Sequence, residues 1–127
     1  MNYIMYHGKR YTPAQYAVIE KALEQQIPAE KIELLLCPEL TSDRMNEIRF
    51  AIKDGLTIEQ IRQFADPKYE QWQMDICRIG LRNGLTMDEL KGIINTGDYS
   101  LDNWGQRRRR LQELIAQKNN NSKACGS

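Results

Sequence analysis

The chain has 127 residues, 41% of them apolar and 28% charged, which suits the core and surface of one ordinary domain rather than two. Eighteen Lys and Arg nearly balance seventeen Asp and Glu, and a net charge of +1 argues against a partner chosen by overall charge. No apolar run reaches the roughly 18 residues of a membrane span, and the N-terminus lacks the order of a signal peptide. Three cysteines without a CxxC pair predict neither a disulfide framework nor a metal site, so a reducing, cytoplasmic compartment is expected.

The N-terminal segment differs from the rest of the chain, because only Tyr3–Tyr6 alternates as a strand does. His7-Gly8-Lys9 has the composition of a turn. Residues 1–11 are therefore compatible with a short hairpin or with an extended cap over the first helix pair.

From residue 12 onward the chain repeats itself. The segment from Met45 to Ile61 matches the segment from Met74 to Leu90 in Met, Arg, Gly, Leu and Thr at an offset of 29 residues. A fixed period of this length is typical of repeat proteins. The predicted organisation is one domain, 1–118, with repeats near 12–40, 41–69 and 70–99 and a capping helix at 100–118.

Helix-start motifs indicate two helices in each repeat. Thr12, Thr57 and Thr86 each precede a Gln or Glu by three residues, which is the spacing of a capping box. Gly55 and Gly84 suit the left-handed residue that ends the preceding helix. Apolar pairs five residues apart straddle every start, as in a hydrophobic staple. The predicted helices are 13–25, 28–36, 42–54, 58–65, 71–83, 87–95 and 101–118.

The fold class follows from the shortness of these helices. Their apolar residues recur at helical spacing, as Ile48 and Ile52 do, so each helix has one face to bury. Helices this short are marginal in water unless they stack on neighbours. The predicted fold is all-α, a short α-solenoid of helical hairpins with a C-terminal capping helix and a small N-terminal cap. Residues 119–127 are predicted to be a disordered tail.

Two adjacent strings resemble a known kind of repeat: Gly55-Leu-Thr-Ile-Glu-Gln-Ile-Arg-Gln-Phe-Ala-Asp-Pro-Lys-Tyr69 and Gln73-Met-Asp-Ile-Cys-Arg-Ile-Gly-Leu-Arg-Asn-Gly-Leu85. They are similar to the tandem GLSxEQI, ADPx[FY] and QMxxIRxGLxxGL motifs of a family of small bacterial helical-repeat proteins. The resemblance covers residues 9–115 and implies an association with mobile elements of Gram-positive gut bacteria, but no activity. The chain departs from the pattern at Cys77, at Gln26-Ile-Pro28 and in its terminal arginine run.

The sequence offers no combination of residues typical of catalysis. His7, the only histidine, lies in the predicted turn and is expected to be a solvated side chain. Cys77 takes the repeat position of Ile48, so a small buried hydrophobe is expected there, and Cys37 is also expected to pack. No phosphate loop, nucleophile elbow or metal-ligand motif is present. We therefore predict that the chain is not an enzyme and uses no cofactor or metal.

Basic residues recur at two repeat positions, and we name these four residues the basic ladder: Arg49, Lys53, Arg78 and Arg82. In the first repeat the same positions hold Glu20 and Glu24. Stacked helices would align the ladder into a groove for an acidic peptide or a phosphate backbone. The alternative is that neighbouring repeats exchange ion pairs, each worth less than about 1 kcal/mol when exposed.

A second basic cluster consists of Arg107, Arg108, Arg109 and Arg110. Residues 104–127 hold six basic and one acidic side chain, a net charge of +5, whereas the rest of the chain carries −4. Successive helical side chains turn by about 100°, so one or two of these arginines are expected to pack and the others to face solvent. The cluster is interpreted either as a nucleic-acid site or as the solvated face of a capping helix.

The function predicted from the sequence is therefore a non-enzymatic interaction or regulatory protein that presents the basic ladder to a protein partner. The resemblance to bacterial helical-repeat proteins implies in addition that the chain serves a mobile element. The alternative is a nucleic-acid-binding protein that uses Arg107–Arg110. No membrane partner is expected.

Overall fold

The computed structural model describes residues 2–94 and 104–126, and over these the chain is mostly helical. Two strands come first: β1 (Ile4–Tyr6) and β2 (Lys9–Tyr11). The helices are α1 (Pro13–Glu24), α2 (Ala29–Ile32), α3 (Ser42–Lys53), α4 (Ile58–Arg62), α5 (Gln71–Arg82), α6 (Met87–Ile94) and α7 (Trp104–Gly126), with a 3-10 turn at Glu33–Leu35. The prediction of a mostly helical chain is confirmed.

The N-terminal segment forms the hairpin, one of the two conformations that the sequence left open. Strands β1 and β2 pair in antiparallel register. His7 (φ 50°) and Gly8 (φ 78°) both have the left-handed backbone that a two-residue type I′ turn requires. Tyr11 is wholly buried, and the Tyr6 ring lies 5.8 Å from the Tyr16 ring, edge to face. The hairpin is thus anchored on α1 by aromatic packing.

The predicted capping boxes all form. In each one the threonine hydroxyl accepts a hydrogen bond from a backbone N–H three residues on, and the side chain there accepts one from the threonine N–H. The pairs are Thr12 with Gln15, Thr57 with Gln60, and Thr86 with Glu89. Local sequence therefore determines where α1, α4 and α6 begin.

Helices α1, α3 and α5 end in the same Schellman motif, repeated every 29 residues. Its long-range bond joins Ile27 N to Ala22 O, Leu56 N to Ala51 O, and Leu85 N to Gly80 O, at 3.2, 3.1 and 2.9 Å. Gly55 (φ 87°) and Gly84 (φ 88°) are the left-handed residues, as predicted. In the first repeat Gln26 takes that place with a φ of 58°. The repeat is thus reproduced in backbone hydrogen bonds, although its first copy lacks the glycine.

The second helix of the first two repeats is shorter than predicted. Instead of 28–36, α2 ends at Ile32 and the chain tightens into the 3-10 turn. Instead of 58–65, α4 ends at Arg62. Beyond it Phe64 N–H donates to Ile61 O, a three-residue spacing that closes the last turn as a 3-10 helix does.

Equivalent side chains join the start of a repeat to its end. Gln15 Nε2 donates to Leu40 O at 2.6 Å and to Pro38 O at 2.9 Å. One period later, Arg44 Nε donates to Tyr69 O at 2.7 Å. The bonds from Gln15 to Leu40 and from Arg44 to Tyr69 each span 25 residues and occupy the same place in the repeat. In both repeats, the first helix is therefore hydrogen-bonded to the loop that ends the repeat.

The contacts divide the chain into two compact units, one ending at Met74 and the other beginning at Asp75. Ile48, Ile52 and Leu81 are buried, as their spacing predicts. The core of the first unit includes Ile19, Leu35, Met45, Ile48, Ile61 and Phe64. That of the second includes Ile76, Cys77, Leu90, Ile93 and Leu111.

Helix α7 extends further than the sequence predicts. It runs to Gly126, so 119–126 are helical where the composition predicts a disordered tail. A helix that is already nucleated adds Asn, Ser and Lys at a cost of under about 0.7 kcal/mol each, which explains the continuation. Residues 1, 95–103 and 127 lie outside the described part of the chain, and with them the predicted end of the sixth helix at 95 and the predicted start of the last helix at 101.

Candidate functional site

Helix α3 carries the first half of the basic ladder, and its two members differ in exposure. Arg49 and Lys53 are one turn apart, as predicted, but Arg49 is only 5% exposed. Lys53 is exposed and is the last residue of α3, where the helix dipole stabilises a cation. Lys53 is therefore the accessible cation of this half of the ladder.

The buried Arg49 guanidinium is held by neutral groups. Its Nε and Nη2 donate to Asn46 Oδ1 at 3.2 and 3.1 Å, and its Nη1 donates to Gln25 Oε1 at 3.2 Å. The Phe50 ring centroid lies 4.7 Å from its central carbon. Burial lowers the pKa of Arg49, although a guanidinium stays charged in proteins. Among the described residues no carboxylate forms an ion pair with it, so its charge is uncompensated.

Helix α5 carries the second half of the ladder. Arg78 Nη2 lies 2.6 Å from Asp75 Oδ1, with the two side chains 16% and 19% exposed. The other oxygen of Asp75 lies 3.6 Å from Arg108 Nη1 on α7. Arg82, the last residue of α5, is exposed. Arg78 is thus ion-paired within its own unit, and Arg82 corresponds to Lys53 as the accessible member.

The ion pairs that the sequence suggested as the alternative to a binding ladder differ from those observed. Within the described residues, neither Glu20 nor Glu24 pairs with Arg49 or Lys53. Asp75 instead neutralises part of the charge, between two arginines of the second unit. In the second unit the ladder residue Arg78 is ion-paired with Asp75. In the first unit Arg49 has hydrogen bonds to neutral side chains but no ion pair within the described residues.

A groove of about 330 Å³ lies between α1 and α3, within the first unit. Helix α1 contributes small apolar side chains and one exposed cation to it, and α3 contributes polar side chains and the buried guanidinium. The lining residues are Ala14, Ala17, Val18, Lys21, Ser42, Asn46 and Arg49. The groove thus brings together two cations, two hydrogen-bonding side chains and an apolar wall without a carboxylate.

The arginine cluster of α7 is distributed as the helical turn predicts, with one member packed. Arg107 is 5% exposed and its Nη1 donates to Ile93 O near the end of α6. Arg108 is ion-paired with Asp75, and Arg110 Nη1 lies 3.4 Å from Glu113 Oε2. Arg109 is exposed. Three of the four arginines therefore have contacts inside the chain that a phosphate backbone would have to displace or share.

Cys37, Cys77 and His7 differ in burial and in hydrogen bonding. Cys77 is wholly buried, as predicted, and burial raises its pKa to about 12. Cys37 is half-buried, and its thiol donates to Glu39 Oε2 at 3.1 Å. Burial, followed by this hydrogen bond, raises the pKa of Cys37, and the same bond lowers that of Glu39. His7 is exposed at the hairpin turn, 4.3 Å from the Tyr6 ring.

Sequence reasoning found Arg49 but missed the groove around it. Lys21 falls outside the ladder, because it lies one position after Glu20, the residue that corresponds to Arg49. Asn46 and Ser42 carry no motif. The pattern that could have indicated the site is the combination of small residues at Ala14 and Ala17 with a cation one turn further along the same helix.

No protein-family model matches the chain, and no curated protein or solved structure matches it either. The resemblance to bacterial helical-repeat proteins therefore stays a prediction. In the described part of the chain no three His, Cys, Asp or Glu side chains converge as a metal site requires. None of its helices combines the length and the apolar character needed to cross a bilayer.

Proposed function

We propose that the chain is a non-enzymatic interaction protein, a short α-solenoid that binds a protein partner through exposed cations at equivalent repeat positions. The observation that carries this proposal is that Lys53 and Arg82 are both exposed, 29 residues apart, at the last position of α3 and α5. Lys53 belongs to the first compact unit and Arg82 to the second, and equivalent positions of successive repeats are commonly used by repeat proteins to bind partners. The cytoplasmic location and the service to a mobile element belong to the same proposal.

Local structure supports treating these positions as equivalent. The helices that carry them end in the same Schellman motif, with Leu56 bonded to Ala51 and Leu85 to Gly80. A cation there is also favoured by the helix dipole, but that effect is worth only about 0.3–1 kcal/mol and operates equally at any helix end. Helix α1 ends in Glu24 instead. A basic residue is therefore not required by the repeat itself.

The proposal is tested by reversing the two exposed cations together, Lys53→Glu with Arg82→Glu, and capturing partners from the native cell. The matched control, Arg62→Glu with Lys91→Glu, changes the net charge equally at exposed cations outside the ladder. Capture should fall at least about fivefold for the ladder variant and stay unchanged for the control. Circular-dichroism melts of the two variants should match each other to within a few degrees, because both reverse cations near the C-terminal ends of helices. Equal capture by all three proteins contradicts the proposal.

The same capture experiment, repeated with nuclease, distinguishes a protein partner from the nucleic-acid alternative. Nuclease treatment should leave the captured proteins in place, because the partner is a protein. If nuclease removes them, and if the purified chain shifts DNA or RNA in a gel with a steep salt dependence, binding belongs to Arg107–Arg110 instead. Arg109→Gln, which alters an exposed member of that cluster, should then weaken the shift.

A further inference from the structure

We propose that the groove between α1 and α3 binds a carboxylate of an acidic peptide segment, with Arg49 as its anchor. This inference deepens the proposed function, because it names the partner chemistry at one place on the surface. Arg49 is a buried cation that lines an open groove and has hydrogen-bond partners but no counter-charge among the described residues. A carboxylate from outside would supply that counter-charge.

Burying the Arg49 guanidinium without a counter-charge costs free energy. Removing a guanidinium from water is expensive, and neutral amide acceptors replace only part of its hydration. Asn46 and Gln25 satisfy three of its N–H groups and leave its positive charge in place. Buried charges in proteins are normally paired, so a buried unpaired one beside a groove indicates a ligand of opposite charge.

The remaining donors match a carboxylate. A guanidinium has five N–H groups, and the bonds to Asn46 and Gln25 leave one on each Nη nitrogen. Two N–H groups are the number that a carboxylate engages in a bidentate pair. Because Asn46 Oδ1 is directed to Arg49, its Nδ2 group is left to donate toward the ligand. Arg49 therefore keeps two N–H groups that these bonds do not use, and the Asn46 amide beside it keeps its Nδ2 group.

The rest of the lining favours a peptide over a phosphate backbone. Lys21 adds a second, exposed cation, and the opposite wall consists of Ala14, Ala17 and Val18. Small side chains on that wall let an extended chain approach the helix closely. A polyphosphate chain needs a run of cations and, when single-stranded, aromatic platforms for its bases. Two cations in a groove of about 330 Å³ suit one or two acidic side chains.

The test is a titration of the full chain with capped hexaglutamate peptide, followed by NMR of the arginine Nε–Hε resonances. The Arg49 resonance should shift with saturation, and capped hexaglutamine should produce no such shift. Arg49→Gln should weaken binding at least about tenfold, and Lys21→Gln about two- to fivefold. The control Arg62→Gln removes an exposed cation of the same unit outside the groove and should leave binding unchanged.

Each other outcome overturns the inference. If the Arg49 Nε–Hε resonance of the wild-type chain does not shift with saturation, the inference is wrong. This result does not require that Arg49→Gln folds, because it is measured on the wild type. Equal effects of Lys21→Gln and Arg62→Gln indicate a non-specific charge effect. A tighter Arg49-centred response to oligothymidylate of matched length assigns the groove to a phosphate backbone. Partner capture that still depends on Lys53 and Arg82 would leave the proposed function standing without the groove.

Discussion

The hydrogen bonds from Gln15 to the end of its repeat can be tested by an isosteric substitution. Gln15→Glu keeps an oxygen to accept from Thr12 N–H, so the capping box survives. It removes the amide donor that reaches Pro38 O at 2.9 Å and Leu40 O at 2.6 Å. It also places a carboxylate against two carbonyl oxygens at a position that is 7% exposed.

The expected loss follows from these contacts. An unpaired buried polar group costs about 1–3 kcal/mol, and two carbonyls lose their donor, so we expect the free energy of unfolding to fall by about 3 kcal/mol at neutral pH. Gln60→Glu is the matched control, because Gln60 has the same place in its capping box but makes no bond to a distant carbonyl. Its effect should stay within about 0.5 kcal/mol.

The measurement is urea unfolding followed by circular dichroism. With a typical slope of about 1–3 kcal/mol per molar, the midpoint of Gln15→Glu should fall by at least about 1 M. The carbonyl oxygens raise the pKa of the introduced carboxyl in the folded state, so part of the lost stability should return as the pH falls through that raised value. Equal midpoints for the two variants, or a loss that does not depend on pH, would refute the assigned role of Gln15.

Three further substitutions and one labelling reaction test other parts of the structure. Gln26→Gly should raise the free energy of unfolding by about 0.5–1 kcal/mol in the same urea assay, because Gln26 has a φ of 58° and glycine relieves that strain at some cost in unfolded-state entropy. Gly80→Ala should lower it by about 1–3 kcal/mol, since the new Cβ would lie 2.5 Å from Leu90 Cδ2, whereas the Cβ of Gly92→Ala meets no atom of the described residues within 4 Å and should raise it by about 0.5–1 kcal/mol. Iodoacetamide at pH 8 should leave Cys77 unlabelled in the native protein and label it in urea by mass spectrometry, because a thiol with a pKa of about 12 is protonated at that pH.

The features that the sequence predicted correctly are those controlled by neighbouring residues. A capping box joins residues three apart, and a Schellman motif joins residues five apart, so both can be recognised from spacing alone. Thr57 and Gly84 are such cases. The early end of α4 was missed, because the choice between another helical turn and a 3-10 turn depends on how Phe64 packs in the core.

The candidate site could be predicted only in part. The spacing of Arg49 and Lys53 shows that they share a face of α3, but not that one is buried and the other exposed. The buried Arg49 is hydrogen-bonded to Gln25, which lies 24 residues away and has no repeat motif. The same holds for Asp75 and Arg108, whose contact joins two helices. Side-chain partners from distant segments are set by packing, which a single sequence does not display.

The recurrent helix ends have a consequence for how such a chain changes in length. Each Schellman motif is closed by atoms no more than five residues apart, and after α3 and α5 the next helix is started by its own threonine, whereas α2 begins after Pro28 without a side-chain cap. The hydrogen bonds that end these helices therefore depend on neighbouring residues and not on how many repeats precede them. Duplication or loss of one whole period therefore leaves the helix ends of the remaining repeats with all their local hydrogen-bond partners.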